Sequence, residues 1–109
     1  MKPEIKKLWV DALRSGTYKQ GFGRLKTDQG YCCLGVLTQL CAIDKQLDFD
    51  TVADDRGLVL SRNVLAWAHD KEVDYYDQNP IVAGHALSVW NDKYNADFNQ
   101  IADLIEQYL

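Results

Sequence analysis

The residues best suited to chemistry lie in one stretch, YKQGFGRLKTDQGYCCLGVL, which covers Tyr18–Leu37. It combines glycines, basic and aromatic side chains and two adjacent cysteines. Its turn-rich centre predicts a hairpin that runs directly into an apolar helix. Glycines let backbone approach a ligand closely, and amides in the first turn of a helix can bind an anion. The stretch therefore predicts a site for a small negatively charged ligand, although it specifies no reaction.

Side chains of this stretch, with one from the C-terminal third, form the predicted ligand site. Arg24 and Lys26 share strand parity, so they should share a face and supply positive charge. Backbone amides near Cys33 and Gly35 would face the anion. The remaining members would stack on the ligand or form hydrogen bonds with it: Tyr18, Gln20, Tyr31 and Asn91. The alternative is a hairpin whose glycines serve only bends and turns.

The adjacent thiols of Cys32 and Cys33 suggest a second chemistry, nucleophilic catalysis. A nucleophilic cysteine needs a lowered pKa, which a helix N-terminus or a nearby base can supply. The start of the second predicted helix offers the first condition, and His85 would offer the second in a small Cys/His hydrolase. Free cysteines are, however, among the most buried residue types. The sequence favours two small core residues over this chemistry and predicts no catalytic residue.

Recognised metal and cofactor motifs are missing from the sequence. His69 and His85 are far apart, and neither has a His or Cys three or four positions away, as metal sites usually do. The segment Gly21-Phe22-Gly23 does not continue into a dinucleotide fingerprint, and the acidic loops lack the glycine and closing glutamate of an EF-hand. We therefore predict neither a metal ion nor a cofactor.

The charge distribution bears on nucleic-acid partners. Residues 1–31 contain seven Lys or Arg and three acidic residues, whereas the remainder is acidic and brings the net charge to −4. An acidic bulk repels nucleic acid, while a basic edge attracts a phosphate-bearing ligand. Residues 98–105 resemble the first helix of a helix-turn-helix unit, but residues 91–109 carry four acids against Lys93 alone. We therefore expect no specific DNA binding.

The acidic half also suggests a different function, imitation of nucleic acid. In that case the chain would occupy a host DNA- or RNA-binding protein through acidic side chains in a polar loop: Asp70, Glu72, Asp74 and Asp77. Tyr75 and Tyr76 lie among these acids and would either anchor a partner or cover the core. Such a mimic would bind with a strong dependence on salt.

Length and composition indicate one globular domain over residues 1–109, with 47% hydrophobic and 26% charged residues. No apolar run approaches the roughly 20 residues that span a bilayer. The amphipathic start, which carries Glu4 and Asp11, does not resemble a signal peptide. The odd number of cysteines argues against a disulfide framework. We expect a cytoplasmic protein with reduced thiols and no membrane partner.

The hydrophobic pattern predicts an α+β domain of four or five helices packed on a small antiparallel hairpin or three-stranded sheet. Helices are expected at about residues 3–15, 33–43 and 98–108, with a short helix after an N-cap at Ser61. The predicted core consists of seven residues from three of these helices: Trp9, Leu13, Leu37, Leu40, Phe98, Ile101 and Ile105.

The remaining segments are interpreted as follows. The hairpin would pair Tyr18–Lys26 with Gly30–Cys33, and Leu58–Leu60 would supply the third strand. Residues 44–57 are interpreted as a solvated loop. Ile81–Trp90 would be the first helix of a C-terminal pair, interrupted at Gly84.

Several strings of the chain resemble known sequences: WVDALRSG, YKQG, WND, FNQIADLIE and above all YCCLGVL at Tyr31–Leu37. They resemble a family of small uncharacterised proteins from phages and prophages. The resemblance implies expression inside a bacterial host and a role in the contest between phage and host. It implies no catalytic residue.

The leading hypothesis is therefore a non-enzymatic binding protein of phage or prophage type that acts in the host cytoplasm. Its partner would be a host protein or a small phosphorylated, nucleotide-like ligand, and binding would counteract host defence. The nucleic-acid mimic and the Cys/His hydrolase are the alternatives. The sequence leaves open whether the chain forms a homodimer.

Overall fold

Six helices and two short antiparallel hairpins make up the part of the chain that the computed structural model describes, residues 1–69 and 78–109. The helices are α1 (Pro3–Arg14), α2 (Cys33–Lys45), α3 (Phe49–Val52), α4 (Arg62–Ala68), α5 (Leu87–Asp92) and α6 (Phe98–Tyr108). One hairpin pairs β1 (Lys26–Thr27) with β2 (Gly30–Tyr31), and the other pairs β3 (Ile81–Val82) with β4 (His85–Ala86). The predicted α+β class is confirmed, with one more helix and one more hairpin than expected.

The first and last helices form a packed pair whose bounds follow the sequence closely. Both are amphipathic, and their apolar stripes face each other across the core. α6 begins with a capping box, in which the Asp97 carboxylate accepts from the Gln100 amide and the Gln100 side chain accepts from the Asp97 amide. This reciprocal pair satisfies two amides that the helix leaves unpaired, so α6 begins where predicted.

The central element is α2, which is buried along nearly its whole length from Cys33 to Ala42. It packs on α1, α3, α4 and α5. The indole of Trp9 donates a buried hydrogen bond of 3.0 Å to the carbonyl of Cys33 and ties α1 to the start of α2. The predicted core is confirmed, because all seven of its residues are buried. No helix within residues 1–69 and 78–109 has the length and apolar composition needed to cross a membrane.

The candidate third strand at Leu58–Leu60 does not form, and the edge of β2 is occupied by another segment of the chain. Gln20 forms a parallel bridge with Tyr31, and the Tyr31 amide donates 2.8 Å to the Lys19 carbonyl. Leu60 is buried instead as a core residue outside any strand. The pairing of β1 with β2 is also shorter than expected, at two residues in each strand.

Two further segments differ from their predicted structure. Ile81–Trp90 is not one helix, because the backbone reverses at Ala83 and Gly84, whose φ angles of 48° and 86° lie in the left-handed region. The segment forms the second hairpin and then α5. Residues 44–57 are not only a loop, since they contain α3, which buries Val52 in the interior.

Candidate functional site

The glycines of the predicted anion site are approached by the chain's own backbone. A Cβ atom at Gly35 would collide with the carbonyl of Leu25, and one at Gly30 would collide with that of Lys19. A Cβ at Gly21 would lie 2.8 Å from the backbone of Gly30, which is closer than side chains come in folded proteins. These glycines therefore let three segments of the chain pack together.

The first turn of α2 faces the protein interior. Cys33 and Gly35 are buried, and the Cys33 thiol donates to the carbonyl of Leu87 at 3.6 Å. Burial raises the pKa of the Cys32 thiol to about 11, although the amides of Gly35 and Leu34 act in the opposite direction. Burial also raises the pKa of Cys33 well above its ordinary value. Both thiols are therefore protonated at neutral pH, which makes them weak nucleophiles.

The side chains of Gln20 and Asn91 meet inside the protein. The Gln20 amide nitrogen donates 2.8 Å to Oδ1 of Asn91 and 2.9 Å to the carbonyl of Ala96. The buried Asn91 in turn donates to the carbonyl of Gly21 at 2.9 Å and to Asp92 at 2.8 Å. These bonds join the segment before β1 to the end of α5, and they use the amide nitrogen of Gln20 and both polar atoms of the Asn91 side chain.

Three of the predicted site residues come together on the hairpin surface. The rings of Tyr18 and Tyr31 meet edge to face at 5.3 Å between centroids, and Phe49 of α3 lies 6.1 Å beyond Tyr31. The Lys26 ammonium is 5.5 Å from the centroid of the Tyr31 ring and 5.3 Å from that of Phe49. The Lys26 charge is therefore held by two aromatic faces of the same protein.

Arg24 and Lys26 both line one hollow of about 340 Å³, although Arg24 lies before β1 and not on a strand with Lys26. The Arg24 guanidinium donates 2.9 Å to the carbonyl of Arg56 at its edge. The same hollow is also lined by three carboxylates, those of Asp50, Asp54 and Asp55. Asp54 is paired with Arg56 at 3.5 Å, so Asp50 and Asp55 remain to offset the charges of Arg24 and Lys26 and to weaken the attraction for an anion.

A second surface, which no sequence motif had marked, is built from aromatic residues of the second hairpin, α5 and the turn after it. The ring centroid of His85 lies 5.5 Å from that of Trp90 and 4.9 Å from that of Tyr94. Trp90 and Tyr94 are 5.3 Å apart. The Trp90 indole donates 2.9 Å to the carbonyl of Val82, which fixes the orientation of its ring. We call His85, Trp90 and Tyr94 the aromatic surface.

A hollow of about 280 Å³ adjoins the aromatic surface, and we call it the C-terminal hollow. One wall is formed by Trp90, Tyr94 and Ala96. The other wall is a stripe of α6 residues at the spacing of a single helix face: Gln100, Asp103, Leu104 and Gln107. The spacing of this second stripe can be recognised in the sequence next to the buried stripe of α6. The approach of Trp90 and Tyr94 to it depends on how α5 and α6 pack, which the sequence does not show.

Two predicted features are not located by the described residues. The acids of the proposed nucleic-acid mimic and the pair Tyr75 and Tyr76 lie outside residues 1–69 and 78–109.

Within those ranges, no three side chains of His, Cys, Asp or Glu are grouped closely enough to hold a metal ion. The candidate surfaces are therefore the hairpin with its charged hollow and the aromatic surface with the C-terminal hollow.

Comparison with known sequences gives one match. The sequence model of a family described as Domain of unknown function (DUF8296) matches residues 1–109. No curated protein and no solved structure matches the chain. The family description names no activity, ligand or partner, so the function has to be inferred from the geometry of the chain itself.

Proposed function

We propose that this chain, which belongs to the family described as Domain of unknown function (DUF8296), is a non-enzymatic binding protein whose partner is another protein. The observation that carries the proposal is the aromatic surface beside the C-terminal hollow. Tyr94 is 51% exposed although its ring contacts His85 and Trp90. Aromatic anchors next to a pocket dominate the energetics of protein interfaces.

The thiols and the hairpin support binding to a protein over the other functions considered. Cys32 and Cys33 are buried and protonated, which leaves them poorly suited to attack a substrate. The two cations in the hairpin hollow are offset by carboxylates that line the same hollow. No comparable charge on the aromatic surface opposes a partner. Its rings contact one another, and the adjoining hollow is open.

A small phosphorylated ligand remains the second candidate, because Arg24 and Lys26 do line one hollow. The double variant Arg24→Ala with Lys26→Ala tests it. Nucleotide-sized ligands that co-purify with the protein should be lost from this variant and retained by the wild type in native mass spectrometry. Unchanged affinity for every such ligand would make this site assignment wrong.

The proposed setting is the cytoplasm of a bacterial host, with a phage or prophage origin and a role in counteracting host defence. This setting is supported by the resemblance of YCCLGVL and the accompanying strings. It motivates the choice of a bacterial lysate as the source of partners.

The test compares two tyrosines that are equally exposed. Tyr94 and Tyr108 are each 51% exposed, and of the two only Tyr94 lines the C-terminal hollow. Partners captured from bacterial lysate should be retained by Tyr108→Ala, whereas Tyr94→Ala should weaken their binding about 30-fold, as expected for a hot spot of about 2 kcal/mol. Equal retention by both variants would show that the partner binds elsewhere.

A further inference from the structure

We infer that the C-terminal hollow accepts the side chain of a single arginine from the partner protein. The inference rests on the proposed function, because it names the chemistry of the partner at the same surface. It is drawn from the different character of the two walls. One wall consists of the aromatic rings of Trp90 and Tyr94, and the other carries a carboxylate among amides.

The aromatic wall suits a cation. Trp90 and Tyr94 lie side by side, and the faces of their rings carry the negative part of the π quadrupole. The Trp90 ring is held by its hydrogen bond to Val82 and by the edge contact with His85. The wall is therefore ordered before a partner arrives, so little rotamer entropy is lost on binding.

The helical wall supplies the matching negative charge. Among the described residues that line the hollow, Asp103 alone carries a formal charge. Arg14 donates to Oδ1 of Asp103 at 2.5 Å and also to Glu106 at 2.8 Å. One guanidinium is thus shared by two carboxylates, and the second oxygen of Asp103 lies outside the ion pair. With 73% of the Asp103 side chain exposed, a partner can reach this oxygen.

Other kinds of side chain fit the hollow less well. A carboxylate or phosphate would be repelled by Asp103. An apolar side chain would remove water from Asp103 without replacing its hydrogen bonds, which is unfavourable. A guanidinium can stack on the Trp90 ring while it donates to Asp103 and to the free amide of Gln107. Lysine offers a point charge without the planar stacking surface, so arginine is favoured.

The direct test uses short peptides as probes of the full chain. Acetyl-Gly-Gly-Arg-Gly-Gly-amide is titrated into the protein while the indole N–H of Trp90 and the amides of residues 100–107 are followed by NMR. The citrulline peptide has nearly the same shape and no charge. The arginine peptide should shift these signals in a saturable way, the lysine peptide should bind more weakly, and the citrulline peptide should leave them in place.

A matched pair of variants distinguishes binding of the arginine peptide in the hollow from a general electrostatic attraction to the acidic surface. Asp103 and Glu106 both pair with Arg14, but Glu106 does not line the hollow. Asp103→Asn should weaken binding of the arginine peptide about tenfold, as expected for the loss of a charge-assisted hydrogen bond. Glu106→Gln should change it less than about twofold. Equal losses in the two variants, or equal binding of the arginine and citrulline peptides, would overturn the inference.

The outcome also distinguishes this inference from the proposed function. If the arginine peptide does not bind but Tyr94→Ala still loses the captured partner, the inference is wrong and the proposed function stands. If the arginine peptide binds at Trp90 but Tyr94→Ala retains every captured partner, the hollow does recognise arginine and the proposed function is wrong.

Discussion

The side-chain nitrogen of Gln20 lies 2.8 Å from Oδ1 of Asn91, although 71 positions separate the two residues in the chain. Asn91 is fully buried and Gln20 is partly buried, so this bond is partly shielded from water. It brings together the strings YKQG and WND, which are far apart in the sequence. These residues therefore connect the hairpin segment to α5 within the folded chain.

Removal of the Asn91 side chain should destabilise the protein strongly. Asn91→Ala leaves the Gln20 amide with one fewer acceptor and the carbonyl of Gly21 without its donor, at a position where the Asn91 side chain is fully buried. Unsatisfied buried groups cost about 1–3 kcal/mol each, so the free energy of unfolding should fall by about 3 kcal/mol in urea titrations. Asn99→Ala on the exposed face of α6 serves as the control and should change stability by less than about 0.5 kcal/mol.

Gly35→Ala should also be strongly destabilising. The added methyl group would collide with the carbonyl of Leu25, and backbone cannot move aside as a flexible side chain can. We expect a loss of about 3 kcal/mol or more in the free energy of unfolding. Gly16→Ala is the matched control, because Gly16 has φ 77° and open space around its Cα. That variant should lose only about 1 kcal/mol from left-handed strain. Similar losses in both variants would mean that α2 does not pack on Leu25 as described.

The thiols should be unreactive in the native protein. With its pKa raised to about 11, Cys32 has a much smaller thiolate fraction at pH 7 than a free cysteine. Iodoacetamide should therefore alkylate the native protein at least about 100-fold more slowly than free cysteine, and the rate should rise with pH until about pH 11. All three thiols should react readily in guanidinium chloride. Native alkylation at pH 7 faster than that of free cysteine would revive the hydrolase alternative.

The parts of the fold that were predictable carry their signals locally. The bounds of α6 followed from the apolar stripe of Phe98, Ile101 and Ile105 together with the capping pair Asp97 and Gln100, all within one helix. Leu58–Leu60 was misassigned because its exclusion from the sheet depends on a distant contact. The edge of β2 is taken by the chain near Gln20, and nothing in the local sequence reports that pairing.

The site was less predictable for the same reason. Arg24 and Lys26 line the same hollow, but the carboxylates beside them come from α3 and the segment after it. Ile81–Trp90 is apolar without a clear helical or strand period, so the sequence pattern did not indicate the turn at Ala83. For the same reason it did not indicate the position of Trp90 in the fold. The approach of Trp90 to α6 is set by the turn between α5 and α6, where Asn95 has φ 53°. Whether the chain adopts this angle at Asn95 depends on how α5 and α6 pack, which the local sequence does not report.

The pairing of Arg14 with α6 gives a prediction for the pH dependence of the α1–α6 contact. The hydrogen bond from Arg14 holds the pKa of the Glu106 carboxyl below its ordinary value of 4.5. A carboxyl with a lowered pKa stabilises the folded state above its ordinary pKa, and this contribution is lost as the pH falls below 4.5 toward the lowered value.

An NMR titration of the Glu106 side chain should therefore show a midpoint below 4.5, and Arg14→Met should bring that midpoint back toward 4.5. The shift should also shrink in high salt, because both partners are near the surface and salt screens their attraction. Lys26→Met provides the control, since the Lys26 ammonium lies over the rings of Tyr31 and Phe49 on the hairpin and does not contribute to the Glu106 shift. A Glu106 midpoint that is the same in the wild type and in Arg14→Met would contradict the ion pair between α1 and α6.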